Sequence, residues 1–359
     1  MKLITVVGAR PQFIKAAAVS RAFREFPSIE EKIVHTGQHF DANMSEVFFE
    51  EMEIPKPHYH LEINSLSHGA MTGRMLEQVE KVLQAERADA LMVYGDTNST
   101  LAGALAARKL NIPVIHVEAG LRSFNMNMPE EINRILTDRI SQLLFCPHKA
   151  AVENLRREGF EQFPCQIFQV GDVMEDAALY FAPKAVQQSD ILNRLKLTAG
   201  QFALCTIHRA ENTDNLANLT AIVSALNAIN QYLPVVLPMH PRTQKILETN
   251  NLQLEALVIP AVGYFDMLAL LQHCQLVLTD SGGLQKEAFF FGKFCLTMRE
   301  ETEWVELVEN GYSYLTGTDA ANICALAKKV QTLPYPAKTN LYGGGNAAQR
   351  IAQHIADMV

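Results

Sequence analysis

Short, unbroken runs of hydrophobic residues alternate along the chain with longer segments of helix length. In the first half of the chain these runs cover residues 3–7, 32–34, 90–94, 113–117, 143–145 and 167–170. Unbroken runs of this length are typical of strands that are buried on both faces, as in a parallel sheet covered by helices. The pattern therefore predicts a doubly wound α/β domain.

A second series of the same kind begins after residue 200. Its hydrophobic runs cover residues 202–207, 234–238, 256–259, 276–278 and 294–297. Two Rossmann-like domains are therefore predicted, with a linker inside residues 171–189, which contain Pro183 and end in polar residues. The chain has 359 residues, 48% of them hydrophobic, which is enough for two cores of this kind.

Composition and charge narrow the class of protein. The net charge of −8 argues against a broad basic surface for nucleic acid or anionic lipid, so that any phosphate must be held by a local site. No hydrophobic stretch approaches the ~18 residues of a membrane span, and the first residues lack the pattern of a signal peptide. The six cysteines are far apart, which suits buried thiols better than disulfides. We expect a cytoplasmic protein without nucleic-acid or membrane partners.

Polar residues follow the predicted strands at their carboxyl ends, where open α/β sheets bind ligands. In the first half these residues are Arg10, Gln38, His39, Asp96 and Glu118. In the second half they are His208, His240, Ser281 and Arg299. Any one of them could be a helix cap or a satisfied polar group. Their recurrence at the same end of the same kind of element favours a binding or catalytic site.

The turn after the first predicted strand has the sequence GARPQFIK, from Gly8 to Lys15. Gly8 permits a tight turn and Pro11 suits the first position of a helix. The positive end of that helix would add to the charges of Arg10 and Lys15, which indicates an anion site. A capped helix with two exposed cations fits the spacing equally well.

A second glycine-containing turn has the sequence DSGGLQKE, at residues 280–287. Ser281 can cap a helix there, while Gly282 and Gly283 would let backbone N–H groups approach a diphosphate closely. Glu287 could accept hydrogen bonds from a ribose, although an ordinary cap with an exposed glutamate is the alternative. Neither a G-x-G-x-x-G fingerprint nor a P-loop follows any predicted strand, which disfavours a nicotinamide cofactor.

Several carboxylates could carry acid–base chemistry. Asp96 and Glu118 end neighbouring strands, so they could face one cleft, where burial and mutual repulsion would raise the pKa of at least one of them. Asp96 could instead cap a helix. Of the adjacent Glu130 and Glu131 only one can face inward on a helix, and the other is expected to pair with Arg134.

The segment TIHRAEN contains His208 and Arg209 at the end of the first strand of the second half. A histidine there could protonate or bind a leaving phosphate, with Glu211 orienting it. A buried, hydrogen-bonded histidine is the alternative. His58 and His60 form an H-x-H pair, but no further metal-ligand motif accompanies them, so we expect no metal.

Taken in order, seven segments resemble the non-hydrolysing UDP-N-acetylglucosamine 2-epimerase family over essentially the whole chain: GARPQFIK, GDTNST, HVEAGLR, PEEINR, TIHRAEN, DSGGLQKE and YGGGNAAQRI. The resemblance implies a glycosyltransferase-B-like fold, with Rossmann-like domains at residues 1–171 and 172–345 and a cleft between them. It also implies a last helix, residues 346–359, that packs back on the first domain, and a homodimer.

The resemblance further implies a 2-epimerase of a UDP-N-acetyl sugar that interconverts UDP-GlcNAc and UDP-ManNAc, for surface polysaccharide precursors. UDP is eliminated to leave a 2-acetamidoglucal, and UDP then adds back with the C2 proton delivered to the opposite face. No cofactor is needed. The implied catalytic residues are Asp96, Glu118, Glu130 and His208. The implied substrate-binding residues are Arg10, Lys15, Arg209, His240, Ser281, Gly282, Gly283, Glu287 and Arg299. Similarity to bacterial members assigns a possible second, activating UDP-sugar to Gln38, His39 and Arg74.

Three segments depart from the common pattern of that family. AGLRSFNMNM, before the PEE motif, is shorter than the common form, and GDTNST replaces a run of threonines. Both departures resemble a branch that acts on UDP-2,3-diacetamido-2,3-dideoxyglucuronate, an O-antigen precursor, so this sugar and N-acetylglucosamine both stay open. YGGG replaces Y-G-D-G, which would remove a helix cap.

Three other functions fit parts of the pattern. A glycosyltransferase of the same fold would need an acceptor. A hydrolysing epimerase would release UDP, and that branch carries a different first turn. A non-catalytic sensor would bind a nucleotide sugar and leave C2 untouched, but the full set of carboxylates argues against it.

Overall fold

The computed structural model describes residues 1–38, 53, 56–337 and 339–358, with the main chain only at Arg10. Internal contacts divide the chain into two compact units. The first contains Met1–Ala177 together with Asn340–Val359, and the second contains Ala178–Thr339.

The first unit is built on a parallel sheet, whose described strands are β1 (Lys2–Val7), β2 (Glu30–His35), β3 (Tyr59–His60), β4 (Ala90–Tyr94), β5 (Val114–Val117), β6 (Leu143–Cys146) and β7 (Gln166–Gln169). Their spatial order is β3-β2-β1-β4-β5-β6-β7. The described helices between them are α1 (Arg10–Phe23), α2 (His68–Glu86), α3 (Asn98–Lys109), α4 (Pro129–Ile140) and α5 (Lys149–Arg157), with a short 3₁₀ turn at Phe160–Gln162. This is the order of a doubly wound sheet, which reverses direction between β1 and β4.

The core of the first unit explains why its strands lack polar alternation. All five residues of β4 are buried, because helices cover both faces of the sheet. Small residues of α3 allow that helix to lie close to the strands: a Cβ at Gly103 would stand 3.3 Å from Val93. Each buried Val or Leu of such a core contributes roughly 1.5–3 kcal/mol.

The helix α6 (Val173–Gln188) contains the boundary between the two units. The linker was predicted within residues 171–189, and the structure shows a helix over most of that range, with Pro183 inside it. The boundary between the units, after Ala177, lies within that range, and Pro183 lies in a helix rather than in a loop. A proline removes one hydrogen bond of a helix, and packing of the rest can outweigh that loss.

The second unit contains a second parallel sheet, with strands β8 (Ala203–Thr206), β9 (Val235–Met239), β10 (Leu257–Pro260), β11 (Leu276–Thr279), β12 (Phe294–Thr297) and β13 (Ser313–Leu315). The spatial order β10-β9-β8-β11-β12-β13 again reverses direction, here between β8 and β11. Its helices are α7 (Ile191–Arg194), α8 (Ala210–Thr213), α9 (Leu216–Asn230), α10 (Pro241–Thr249), α11 (Tyr264–His273), α12 (Gly282–Phe290), α13 (Val305–Glu309) and α14 (Ala320–Val330).

The last helix, α15 (Ala347–Ala356), belongs to the first unit, where it packs on α1. Its first N–H groups are capped from outside the helix, because Asp176 accepts hydrogen bonds from the backbone of Ala347 (3.1 Å) and Ala348 (2.7 Å). The cap of α15 that was expected to be missing at YGGG is therefore supplied by a side chain of α6. The carboxylate of Glu175 accepts a further hydrogen bond from the Gly344 N–H, at 2.8 Å.

Every strand predicted from a hydrophobic run is present, with ends that differ by at most two residues. Of the strands in the described ranges, two escaped prediction, β3 and β13, which have two and three residues and lie at sheet edges. Runs this short carry no periodic signal. Among the described residues, no helix is long and hydrophobic enough to cross a membrane.

Candidate active site

The predicted site residues follow strands that flank the two reversal points of the sheets or lie next to a flanking strand. In the first unit Asp96 follows β4, Glu118 follows β5, and Lys15 lies in the helix that follows β1. In the second unit His208 follows β8, and the turn from Ser281 to Gly283 follows β11. The carboxyl ends of strands at such a reversal point are the usual place for a ligand in open α/β sheets.

Asp96 is held from helix α4 at two points. Nη2 and Nε of Arg134 lie 2.6 Å and 2.9 Å from Oδ2 of Asp96, and the Asn133 side chain donates to the Asp96 carbonyl oxygen at 2.8 Å. The carboxylate stays partly exposed, because 29% of its side-chain surface is accessible. A fixed, accessible carboxylate of this kind is suited to exchange a proton with a ligand.

Glu118 is buried and forms an ion pair with Lys15, which is also buried. Its backbone is in the left-handed region, with φ of 73°, although it is not a glycine. The backbone N–H groups of Glu118 and Ala119 both donate to the carbonyl oxygen of Phe145, at 3.0 Å each. Gly95 allows the close approach of this pair to β4, because a Cβ there would stand 3.2 Å from both charged groups.

These contacts change the expected electrostatics of Asp96 and Glu118. Burial and mutual repulsion were the expected influences on this pair, but each carboxylate also has a cation in contact with it, namely Arg134 and Lys15. The sequence pattern predicted the two carboxylates and missed both of their partners, since Lys15 was assigned to an anion site.

The two adjacent glutamates at the start of α4 have different surroundings. Glu131 is buried and pairs with Arg134 at 2.9 Å. The expectation that the glutamate facing away from the core would pair with Arg134 was wrong, because the buried one does so. Its oxygens also accept the N–H groups of Ser123 and Phe124, at 2.9 and 3.0 Å. Burial alone would raise the pKa of Glu131, but these N–H groups and Arg134 outweigh burial and hold that pKa below its usual range. Glu130 is exposed.

Gln12 was not singled out in the sequence, yet it joins the first turn to the loop after β4. Its Oε1 accepts the backbone N–H groups of Gly8 (2.8 Å) and Ala9 (3.0 Å). Its Nε2 donates to the carbonyl oxygen of Tyr94 at 2.8 Å and also faces the hydroxyl of Thr100 at 2.9 Å. A buried amide that is satisfied on both sides fixes the position of both turns.

The residues with a possible regulatory role are only partly described. The side-chain oxygen of Gln38 accepts the backbone N–H of Ser99 (3.1 Å) and its hydroxyl (2.7 Å), so it is bound to the start of α3. Arg74 is exposed on α2. His39 and the side chain of Arg10 lie outside the described residues.

In the second unit His208 is paired with Asp280. Its Nδ1 lies 3.2 Å from Oδ1 of Asp280, and its backbone N–H donates to the same carboxylate at 3.0 Å. Burial would raise the pKa of Asp280, but the hydrogen bonds and charge of His208 and the Arg209 N–H lower it below its usual range. Glu211, which was expected to orient His208, is exposed on α8, and the carboxylate that the structure pairs with the imidazole is that of Asp280. The imidazole itself is half exposed, at 51%.

The start of helix α12 attracts negative charge. Nη1 of Arg299 lies 2.8 Å from Oε2 of Glu303, and Nη2 of Arg209 lies 3.8 Å from its Oε1. Burial would raise the pKa of Glu303, but the charges of the two arginines hold it below its usual range. A Cβ at Gly282 would collide with this carboxylate, so the glycine permits an anion to lie against the first turn of the helix.

The remaining predicted residues of the second unit surround the same strand ends. A Cβ at Gly283 would meet nothing within 4 Å, whereas Glu287 is buried, which argues against an ordinary exposed glutamate. The backbone N–H of Ser281 donates to the hydroxyl of Thr279 at 2.9 Å. His240 caps α10 by accepting the backbone N–H of Arg242 at 3.2 Å. No group of three or more potential metal ligands occurs within the part of the chain that the structure describes.

Comparison with known proteins decides the family. The family model for UDP-N-acetylglucosamine 2-epimerase matches residues 21–356. The chain belongs to this family. Among the epimerases it resembles, a UDP-2,3-diacetamido-2,3-dideoxy-D-glucuronate 2-epimerase of Pseudomonas aeruginosa is 55% identical over 359 residues, and the match covers 100% of both chains. A UDP-N-acetylglucosamine 2-epimerase of Methanocaldococcus jannaschii is 42% identical over 366 residues, with 98% of each chain covered.

Solved epimerase structures agree with this family in fold. A crystal structure of the Methanocaldococcus jannaschii epimerase in complex with UDP-GlcNAc and UDP matches with a TM-score of 0.92 and 40% identity, over 99% of this chain and 100% of that chain. The epimerase of Neisseria meningitidis bound to UDP-GlcNAc matches with a TM-score of 0.90 and 30% identity, over 99% and 100%. The predicted family, the predicted glycosyltransferase-B-like fold class and the prediction of an epimerase are therefore confirmed.

Proposed function

We propose that this epimerase inverts C2 of a UDP-linked N-acetyl sugar without net hydrolysis, and that its preferred substrate is UDP-2,3-diacetamido-2,3-dideoxyglucuronate. The observation that carries the reaction is the pair of fixed carboxylates, Asp96 and Glu118, at the ends of adjacent strands β4 and β5. The choice of sugar follows from the 55% identity, over the full length, to an epimerase named for that substrate.

UDP-N-acetylglucosamine is the second candidate substrate. The family model carries its name, and solved epimerases that match almost the whole chain contain it. Their identities of 40% and 30% are lower than that of the Pseudomonas aeruginosa enzyme. The atypical segments AGLRSFNMNM and GDTNST lie next to Glu118 and Asp96, which also favours an atypical sugar.

The proposed reaction begins with loss of UDP. The bond between C1 and the β-phosphate oxygen breaks, and its electron pair leaves with UDP, so that positive charge develops at C1, where the carboxylates of Asp96 and Glu118 stabilise it. A carboxylate then takes the proton from C2, and a C1–C2 double bond forms. In the second half a carboxyl group returns a proton to the other face of C2, while the UDP oxygen bonds to C1 again.

The second unit would hold the leaving UDP. The start of α12 and the arginines Arg209 and Arg299 favour an anion, and Gly282 and Gly283 give close access to the backbone N–H groups. His208, kept in place by Asp280, would donate a hydrogen bond to the departing diphosphate, and Glu287 would bind the ribose. The proposed roles of Glu130, Arg10, Lys15, His240 and Ser281, and the regulatory roles of Gln38, His39 and Arg74, stay predictions, as do the domain ranges, the homodimer and the cytoplasmic location.

The experiment that tests this function is an NMR assay in D2O, with each UDP-sugar offered separately and no acceptor present. We expect deuterium at C2 and inversion at that carbon, fastest with the diacetamido-uronate, without accumulation of UDP. An Asp96→Asn variant serves as the matched inactive control. Absence of exchange with both sugars would contradict the proposal, stoichiometric release of UDP would indicate a hydrolysing enzyme, and faster exchange with UDP-GlcNAc would reverse the order of substrates.

A further inference from the structure

His116 is fully buried in β5, two residues before Glu118. Its imidazole connects two other elements, because Nδ1 lies 2.7 Å from Oδ1 of Asp138 on α4 and Nε2 lies 2.7 Å from the carbonyl oxygen of Gly95. A carbonyl oxygen only accepts hydrogen bonds, so Nε2 carries a hydrogen and donates it. The imidazole therefore ties the backbone just before Asp96 to the strand that ends at Glu118.

Asp138, on the other side of the imidazole, is fixed by further contacts. Its Oδ2 accepts the backbone N–H of Gly120 at 3.1 Å and Nη1 of Arg122 at 2.7 Å. Arg122 forms a bidentate pair with Glu158, at 2.7 and 2.8 Å. Burial raises the pKa of Asp138, but His116 and Arg122 outweigh burial and lower it below its usual range. Buried polar networks in which each member has partners restrain their geometry strongly.

The backbone that this network contacts has an unusual conformation. Gly95, Glu118 and Gly120 all have positive φ, of 60°, 73° and 79°. At Glu118 such a conformation is strained, and it persists only where the surroundings hold it in place. The network supplies hydrogen bonds on both sides of Glu118, to Gly95 in space and to Gly120 in sequence. The hydrogen bonds of His116 and Asp138 therefore hold a strained backbone in place, in addition to the usual pairing of a strand.

One face of α4 carries the side chains that meet these loops. Glu131, Arg134 and Asp138 are spaced three and four residues apart, which places them on the same side of the helix. Arg134 contacts the carboxylate of Asp96, and Asp138 contacts the imidazole that holds Gly95. The helix therefore holds Asp96 directly and holds the residue before it through His116.

We propose that His116 is a positioning residue that sets the separation of the Asp96 and Glu118 carboxylates by tying the loop after β4 to β5. This inference rests on the proposed function, because the separation of the two carboxylates affects the rate only if they move the proton at C2. A carboxylate that moves a proton must lie within hydrogen-bond reach of it, and a displacement of about 1 Å costs on the order of 10²-fold in rate. Loss of the hydrogen bond from His116 to the Gly95 carbonyl should therefore lower kcat and leave substrate binding almost unchanged, although the Gly95 N–H still donates to Val117.

The chain offers a matched pair of substitutions at His116. The amide nitrogen of glutamine can take the place of Nε2 and keep the hydrogen bond to Gly95, whereas the amide nitrogen of asparagine can take the place of Nδ1 and keep only the contact with Asp138. For His116→Asn we expect kcat lower by about 10²-fold with KM within about 3-fold, and for His116→Gln a loss of kcat below about 10-fold. Both variants bury one amide, so their melting temperatures should fall by similar amounts.

Crystal structures of the two variants give a readout that does not depend on turnover. We expect the separation of the Asp96 and Glu118 carboxylates to change in His116→Asn and to be kept in His116→Gln. An unchanged separation in His116→Asn, or equal losses of kcat in both variants, would overturn the role of His116. If the wild-type enzyme shows no exchange at C2, the proposed function fails, while the carboxylate separations still decide the positioning role.

A second variant covers the case in which His116→Asn does not fold. Asp138→Asn keeps the imidazole and loosens its orientation, so we expect kcat about 10-fold lower with KM unchanged. Unchanged kcat in Asp138→Asn would contradict the role assigned to His116, because the imidazole would then need no fixed orientation.

Discussion

The ammonium group of Lys15, on the first helix, forms a buried ion pair with the carboxylate of Glu118, at the end of β5. Both side chains are about nine-tenths removed from solvent, so neither charge is fully hydrated. Buried pairs of this kind are costly to break from one side, because the remaining charge keeps its burial and loses its counter-ion. The pair therefore holds a strained glutamate in the position proposed for catalysis.

Lys15→Met tests the strength of this pair. Because the substitution leaves Glu118 buried without the ammonium group, we expect the free energy of unfolding to fall by about 3–5 kcal/mol, measured by urea denaturation. The double variant Lys15→Met with Glu118→Gln removes both charges and should recover most of the loss. A double variant no more stable than Lys15→Met would show that the pair does not determine the stability of this region.

Glu130 and Glu131 should separate catalysis from structure. Glu130 is exposed, so Glu130→Gln should change stability by no more than about 0.5 kcal/mol while kcat falls by about 10²-fold. Glu131→Gln removes the charge that Arg134 and two backbone N–H groups contact, and we expect it to lower stability by about 2–3 kcal/mol. Thermal unfolding and initial rates of both variants provide the test. Full turnover in Glu130→Gln would exclude the catalytic role predicted for it.

The contrast between these glutamates shows what the sequence could and could not provide. Helical spacing was enough to expect that one of them pairs with Arg134, because residues three and four apart meet on a helix. Hydrophobic runs were likewise enough for the described strands of four or more residues, since burial on both faces is a local pattern. The turn residues could be placed at strand ends for the same reason.

Contacts between distant segments were not predictable in this way. Lys15 and Glu118 are separated by 103 positions, and His208 and Asp280 by 72. No periodicity connects such residues. Lys15 was therefore assigned to an anion site, and Glu211 was chosen as the residue that orients His208. Gln12 escaped notice because an amide inside a helix has no signature until both turns that it joins are in place. The sheet order, which brings these segments together, decides the partners.

Gly282 and Gly283 offer a second matched pair, in the turn proposed to hold the diphosphate. Gly283→Ala meets no atom within 4 Å, so we expect the fold to keep its melting temperature while the added methyl group hinders UDP, raising Kd by about 10-fold. Gly282→Ala collides with the Glu303 carboxylate and should lower the melting temperature as well. Calorimetric titration with UDP checks both. Unchanged affinity in Gly283→Ala would place the diphosphate elsewhere.

Asp280 should make the stability of the fold decrease at low pH. Its pKa in the fold is lowered from 3.8, so its ionised form stabilises the protein above about pH 4, and that contribution is lost as the pH falls through the lower folded value. Asp280→Asn removes the charge that His208 contacts, and we expect a loss of about 1–3 kcal/mol at neutral pH. Melting temperatures of both proteins over a pH series test the sign. A difference that grows as the pH falls below 4 would contradict the assignment.

Asp176 should have the opposite effect and make the stability of the fold decrease as the pH rises. Burial raises the pKa of this carboxyl group from 3.8 to about 6, although it accepts the N–H groups of Ala347 and Ala348. Its protonated form therefore stabilises the fold below 3.8, and this stabilisation is lost as the pH rises through about 6. Because asparagine cannot ionise, the stability of Asp176→Asn relative to the wild type should rise by on the order of 3 kcal/mol across that window. Urea denaturation at several pH values between these limits measures how the free energy of unfolding changes with pH. Asp280→Asn is the matched control, because its stability relative to the wild type falls as the pH rises to about 4. Equal slopes for the wild type and Asp176→Asn would show that the helix cap is ionised throughout.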